Sequence, residues 1–151
     1  MKTVQMALAA EQRLHETNRY GFDTRRASLF SVRIVDGELL DVVHELDSPN
    51  VYDLLGGRPA AQVMKANEAV LLATCGWAAP VGEDDDIPPS AHPLRRRVRL
   101  MCVADANGVA SVVRFSDNPE EAISDDGRAT GSLADALASL REKSINEKGN
   151  K

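Results

Sequence analysis

Cysteine is scarce in this 151-residue sequence, which contains only Cys75 and Cys102. The two residues do not form a Cys-x-x-Cys pair. A disulfide-stabilised scaffold or a structural zinc site needs more cysteines at short, regular spacing. We therefore expect both thiols to be reduced in a cytoplasmic protein.

Long apolar runs and aromatic residues are also few. The longest mostly apolar run covers about ten residues, 70–80, whereas a membrane-spanning helix needs roughly 20. The apolar N-terminal stretch stops at Glu11, where the apolar core of a secretory signal would continue. One tryptophan, two tyrosines, three phenylalanines and a net charge of −5 disfavour a general nucleic-acid binder, which needs a basic surface. These features predict that a membrane is not a partner, and they disfavour nucleic acid as a partner.

Several motifs that carry chemistry are absent as well. The sequence has no Walker loop and no GxGxxG, GxSxG or HExxH motif. Gly56-Gly57 follows a predicted helix instead of opening one, which is the wrong polarity for cradling phosphate. Glu83–Asp86 lacks the alternating spacing and the glycine of a calcium loop, so we interpret it as a solvated loop. The sequence predicts no cofactor and no metal.

The remaining composition is that of an ordinary globular protein. Hydrophobic residues make up 43% and charged residues 27% of the chain, and the length suits one domain. We predict a single domain over residues 1–143 with a long loop over 80–94. Residues 144–151 are predicted to be a flexible tail.

The segment SLFSVRIVDGELLDVVHEL, residues 28–46, predicts a β-hairpin around Asp36-Gly37. A two-residue turn would pair Val32 with Asp41 and divide the apolar residues between two faces. A bulge at Gly37 would pair Val32 with Leu40 and place the apolar residues of both strands on one face. We predict the bulged register.

Helix-capping residues, prolines and glycines predict where the helices before and after this hairpin begin and end. They predict a helix over residues 2–19 ended by Gly21, a helix with Ser48 as N-cap, and a short helix over 59–66. The next run, EAVLLATCGW over 68–77, favours a buried strand, with one longer helix over 59–75 as the alternative.

The segment RRVRLMCVADANGVASVVRFS predicts a second hairpin with a type I′ turn at Asn107-Gly108. Strand alternation then places four arginines on one face, Arg95, Arg97, Arg99 and Arg114, which we call the arginine stripe. Residues 117–131 are polar and predict a surface connection. A last helix is expected to begin at Ser132.

This order of elements predicts an α+β domain in which an about five-stranded, mainly antiparallel sheet packs against three or four helices. The order is similar to that of profilin-like and roadblock-like sheets, and loosely to GAF and PAS sensors. The runs CGWAAP and HPLRRRVRL, in the central third of the chain, resemble uncharacterised actinobacterial proteins. That resemblance implies no particular activity.

Cys75 is the candidate nucleophile, because Thr-Cys-Gly lies at a predicted strand end. A thiol nucleophile needs a histidine to accept its proton, and His44 and His92 are the candidates. The spacing matches no cysteine-hydrolase signature, however, and we favour a small buried thiol. His44 lies on an apolar strand face and is interpreted as a structural histidine.

The arginine stripe is the strongest candidate binding site, because aligned guanidinium groups repel one another unless anions lie opposite. Three explanations compete. In order of preference, the anions are the 83–86 acids or the C-terminal helix, an acidic protein partner, or phosphate and nucleic acid.

Together these patterns predict a non-enzymatic binding or regulatory module. It would engage a protein partner, or a second copy of itself, through the sheet and helix surface or the arginine stripe. A cysteine-dependent hydrolase or transferase using Cys75 with His44 or His92 is one alternative, and a small-ligand sensor is another.

Overall fold

The computed structural model describes residues 1–79, 87–125, 137–138 and 140–142. The strands are β1 (Ala27–Val35), β2 (Glu38–Ser48), β3 (Ala69–Ala78), β4 (Arg96–Asp105), β5 (Gly108–Phe115) and β6 (Asn118–Asp125). The helices are α1 (Thr3–Glu16), α2 (Val51–Gly56), α3 (Arg58–Ala66) and a 3₁₀ turn at Pro89–Ala91. Residues 137–138 and 140–142 are also helical.

The strands form one antiparallel sheet in the order β2-β1-β3-β4-β5-β6. The α+β prediction is confirmed, but the sheet has six strands instead of about five. The additional strand, β6, lies where a surface connection was predicted. It is an edge strand whose residues are mostly exposed, so it lacks the apolar alternation that identifies a half-buried strand.

Helices cover both faces of the sheet. On one face, α1 packs against an apolar cluster that includes Phe30, Leu71 and Met101. On the other, α2, α3 and Leu137 pack against a cluster that includes Leu72. The central strand β3 is buried on both sides, which explains its unbroken apolar run. The prediction of a strand over 68–77 is confirmed, and the helix alternative is wrong.

The predicted register of the first hairpin is wrong. Asp36 and Gly37 form a two-residue turn, with φ of 53° and 77°, and Val35 lies opposite Glu38. Both positive φ values are those of a type I′ turn, whose twist matches that of the strands. The extra residue comes later, near Leu40, so Val32 lies opposite Val42. Leu40 is 57% exposed as a result, instead of facing the core.

The turn of the second hairpin is displaced by one residue from its predicted position. Ala106 and Asn107 form the turn, and Asp105 lies opposite Gly108. The Asp105 carboxylate stabilises this turn because it accepts hydrogen bonds from the backbone N–H groups of Asn107 and Gly108. The predicted turn would pair Ala106 with Val109, whereas Ala104 pairs with it. A shift of two residues preserves the faces, so Arg97, Arg99 and Arg114 share a face as predicted.

Two helix ends differ from the predictions. The chain leaves α1 through Thr17 and Asn18, which adopts a φ of 52°, and not through Gly21. Asparagine tolerates this left-handed conformation. Ser48 is the last residue of β2, and Asn50 is the N-cap of α2 in its place. Its side-chain oxygen accepts from the N–H groups of Tyr52 and Asp53.

Several predictions fall outside the described residues. They include the acids at 83–86, the start of the last helix at Ser132, and the tail over 144–151. The prediction of one domain over 1–143 stays a prediction. In the described ranges, none of the helices combines the length and the apolar character needed to cross a membrane.

Candidate functional site

An opening in the sheet lies between β1 and the end of β3. Strand β4 pairs along β3 as far as Ala78. Strand β1 pairs with β3 only between Val32↔Ala69 and Ser28↔Ala73. Beyond Ala73 the chain that precedes β1 departs from β3, and a cleft of about 370 Å³ lies between them.

We call this opening the arginine cleft. Its lining includes Arg25 and Arg26 before β1, Trp77 on β3 and Arg97 on β4, with Cys75 also at its wall. The described residues that line it include three arginines and no carboxylate. Trp77 is the only tryptophan of the chain.

Stacking and ion pairs hold the guanidinium groups at the rim of the cleft. The Cζ atoms of Arg95 and Arg97 lie 4.9 and 4.2 Å from the centroid of the Trp77 ring, a cation–π arrangement. Arg97 also lies 3.2 Å from a carboxylate oxygen of Asp23, a side chain that is 91% exposed. Arg26 is paired as well, with its guanidinium 2.8 Å from a carboxylate oxygen of Asp47. Both ion pairs are solvent-exposed and therefore weak, so an acidic ligand can compete with Asp23 and Asp47 for these two arginines.

The other two arginines of the stripe lie beneath α1. Arg99 and Arg114 are opposite each other on β4 and β5 and are only 2% and 1% exposed. Glu11 lies between them and is fully buried. Arg114 donates from Nε and an Nη atom to the two Glu11 carboxylate oxygens at 2.7 and 2.6 Å, and Arg99 donates at 3.0 Å. We call these three residues the buried clasp.

Further acceptors surround the buried clasp, although the buried Nε of Arg99 has no hydrogen-bond partner among the described residues. The carbonyls of Pro119 and Tyr20 accept from Arg114 and Arg99, respectively. Arg99 also lies 2.8 Å from His15 Nδ1, and a guanidinium can only donate. His15 Nδ1 is therefore the acceptor, which requires a neutral ring.

The pKa values of Glu11 and of the neighbouring His15 are shifted. Burial opposes the ionised form of Glu11, but hydrogen bonds from Arg114 and Arg99 outweigh it and lower the pKa of the carboxyl. Burial lowers the pKa of His15, and the charges of Arg114 and Arg99 lower it further.

For Arg99 and Arg114 the anion lies within the chain, as the first of the three explanations expects, and it is Glu11 of α1; the acids at 83–86 lie outside the described residues. Within the described residues, the single carboxylate of Glu11 on α1 forms ion pairs with both Arg99 and Arg114. The signal was present in the sequence, because Glu11 lies on the apolar face of the predicted first helix, where a carboxylate needs a buried cation. The binding role predicted for the stripe stays a prediction. Of its four members, Arg97 lines the cleft, and Arg95, which precedes β4, stacks on Trp77. Sequence reasoning did not find Arg25 or Arg26, because nothing local distinguishes them.

Cys75 is not arranged as a nucleophile. Its thiol donates a hydrogen bond to the Gly21 carbonyl at 3.1 Å, and burial raises the pKa of the thiol. Cys102 is buried, which raises its pKa to about 11.

The two candidate histidines make contacts elsewhere. His44, on β2, places its half-exposed ring edge-on to Phe30 with centroids 5.4 Å apart. His92 is buried, and its Nδ1 accepts from the Leu94 N–H at 3.0 Å. Among the described residues, neither histidine forms a hydrogen bond with Cys75, so the structure does not bring the predicted catalytic pair together.

A search of the described residues finds no group of three or more histidine, cysteine, aspartate or glutamate side chains that could hold a metal ion. Comparison of the chain with protein-family models, with curated proteins and with solved structures finds no match. The resemblances to profilin-like, roadblock-like, GAF and PAS folds and to uncharacterised actinobacterial proteins therefore stay predictions from the sequence.

Proposed function

We propose that this protein is a non-enzymatic binding module that engages an acidic segment of a protein partner at the arginine cleft. The observation that carries the proposal is the convergence of Arg25, Arg26 and Arg97 with Trp77 around one opening. A short acidic segment would complement this local positive charge.

The charge distribution favours a short acidic segment over a long polyanion. The whole chain has a net charge of −5, which repels nucleic acid at a distance. The Trp77 ring is also stacked against Arg95 and Arg97, so it is not an open platform for a nucleobase.

Fluorescence of Trp77 tests the proposal, because the only tryptophan lies in the cleft. Titration with a peptide of alternating glutamate and valine should change its emission saturably, and added salt should weaken the binding. The double variant Arg25→Ala/Arg26→Ala should bind the peptide about tenfold more weakly or worse, since it loses two charged contacts.

The matched control is Arg33→Ala/Arg58→Ala, which removes the same charge from two exposed arginines that do not line the cleft. It should bind the peptide like the unmodified protein. Equal weakening in both double variants, or no binding of the acidic peptide, would contradict the proposal.

Two further results would replace the acidic partner with another occupant. Tight saturation by succinate or inorganic phosphate, without peptide binding, would indicate a small-ligand sensor. A Trp77 signal that depends on protein concentration alone would identify a second copy of the chain as the occupant.

A further inference from the structure

We infer that the acidic segment binds by β-strand addition to the open edge of β3, an inference that rests on the proposed function. The edge concerned is Thr74–Ala78, which β4 pairs on one side and β1 does not pair on the other.

One hydrogen bond shows which residues of β3 direct their backbone N–H and C=O groups toward β4 and which direct them toward the cleft. The Ser116 N–H donates to the Arg97 carbonyl, so Arg97 directs its backbone groups toward β5. Successive residues of an antiparallel strand direct these groups to opposite sides. Val98 therefore directs its groups toward β3, where its partner is Gly76.

The same alternation gives the orientation of the residues on either side of Gly76. Gly76 directs its N–H and C=O toward β4, so Cys75 and Trp77 direct theirs toward the cleft. These two residues continue the series Ala69, Leu71 and Ala73, which faces β1. Because β1 pairing ends at Ala73, Cys75 and Trp77 offer two further ladder positions, about 7 Å apart.

The space in front of these positions is open. Thr74, Cys75, Gly76 and Trp77 all line the cleft. Backbone groups at an unpaired strand edge are a template for another strand, and this one has room beside it.

Charge selects the occupant. Arg25 and Arg26 precede β1 and line the cleft together with Arg97 of β4. The Arg97 guanidinium reaches the chain before β1, where it donates to the Phe22 carbonyl and pairs with Asp23. In strand addition the backbone hydrogen bonds supply affinity and the flanking side chains supply specificity. An extended segment with acidic side chains fits both requirements.

The outer strands are less suited to strand addition. At the β2 edge, the Val42 N–H donates to the Asp41 carboxylate at 2.7 Å and its C=O accepts from Arg19 at 2.6 Å. Arg13 donates to the Leu40 carbonyl. At the other edge, β6 contains Pro119, which has no N–H to donate.

Amide hydrogen exchange measured by NMR tests the inference. In the free protein the Gly76 amide should exchange slowly, because it bonds β4, while those of Cys75 and Trp77 exchange faster. Saturation with the peptide of alternating glutamate and valine should slow exchange at Cys75 and Trp77 by about tenfold or more and leave Gly76 unchanged.

Backbone methylation of the peptide provides the second readout. Only alternate N–H groups of an added strand face β3, so N-methylation of one alternate set should weaken binding about tenfold or more. N-methylation of the other set should change it little.

The outcomes separate the two proposals. If the peptide binds in an Arg25- and Arg26-dependent manner but Cys75 and Trp77 gain no protection, or both methylated peptides bind equally, strand addition is wrong and the acidic-partner proposal stands. If the peptide does not bind, the proposed function itself fails.

Discussion

At the scale of single residues, Glu11 has the largest structural consequence. One carboxylate accepts hydrogen bonds from two buried guanidinium groups, and without it two positive charges would lie under α1 with no anion. Removing one partner of a buried ion pair costs more than the pair itself contributes, because the remaining charge is left in a poor solvent.

Glu11→Ala should therefore lower the free energy of unfolding by about 3–5 kcal/mol, measured by urea denaturation. The control is Glu16→Ala, at an exposed position on the same helix, which should change it by about 0.5 kcal/mol or less. Replacing the whole clasp with apolar residues, Glu11→Leu/Arg99→Met/Arg114→Leu, should recover much of the loss. A Glu11→Ala protein as stable as the control would contradict the role assigned to the clasp.

At the scale of elements, Arg141 links the last helical residues to α3. Its guanidinium donates to the carbonyls of Met64, Asn67 and Glu68 at 2.7, 2.8 and 3.0 Å. The last carbonyls of a helix lack intrahelical donors and carry partial negative charge. Arg141 therefore caps the C-terminal end of α3 and fastens residues 140–142 against it.

Arg141→Met should lower the free energy of unfolding by about 2 kcal/mol, because it removes a charge and three hydrogen bonds from a helix C-terminus. The matched control is Arg58→Met at the N-terminal end of the same helix. A positive charge is unfavourable there, so this variant should be neutral or slightly more stable. Equal losses of unfolding free energy in both variants would show that Arg141 does not stabilise the protein by capping the C-terminal end of α3.

At the scale of the whole molecule, the clasp makes the attachment of α1 to the sheet depend on pH. The folded-state pKa of Glu11 is lowered, so its contribution is complete above the unfolded pKa of about 4.3 and is lost as the pH falls below it. The pKa of His15 is lowered as well. The unfolded chain therefore binds its proton first, and stability also declines as the pH falls below about 6.5.

The free energy of unfolding should consequently fall in two stages on acidification, the first from His15 and the second from Glu11. His15→Asn should remove the first stage, because an amide oxygen can accept from Arg99 and does not titrate. The control variant His44→Asn, on β2, should keep it. Urea denaturation at a series of pH values measures both, and an unchanged profile in His15→Asn would exclude the neutral ring as the cause.

Local pattern by itself determined much of the architecture. The unbroken apolar run of β3 predicted a buried strand, because a strand that is covered on both faces has no solvent-facing positions for polar residues to occupy. The shared face of Arg97, Arg99 and Arg114 was also predictable. The predicted turn was wrong by one residue, which shifts the strand pairing by two residues, and a shift of two leaves each side chain on the same face. In contrast, β6 could not be predicted, since an exposed edge strand has no apolar face.

Only the tertiary structure decided which groups meet. The carboxylate that pairs with both Arg99 and Arg114 lies 88 and 103 residues away from them in the chain. The arginine cleft exists because β1 pairing stops at Ala73 while β3 continues, and that end point depends on where the preceding chain turns away. Local propensity describes a residue and its near neighbours. Relative strand ends and long-range ion pairs depend on how the whole sheet is assembled, so sequence pattern could not supply them.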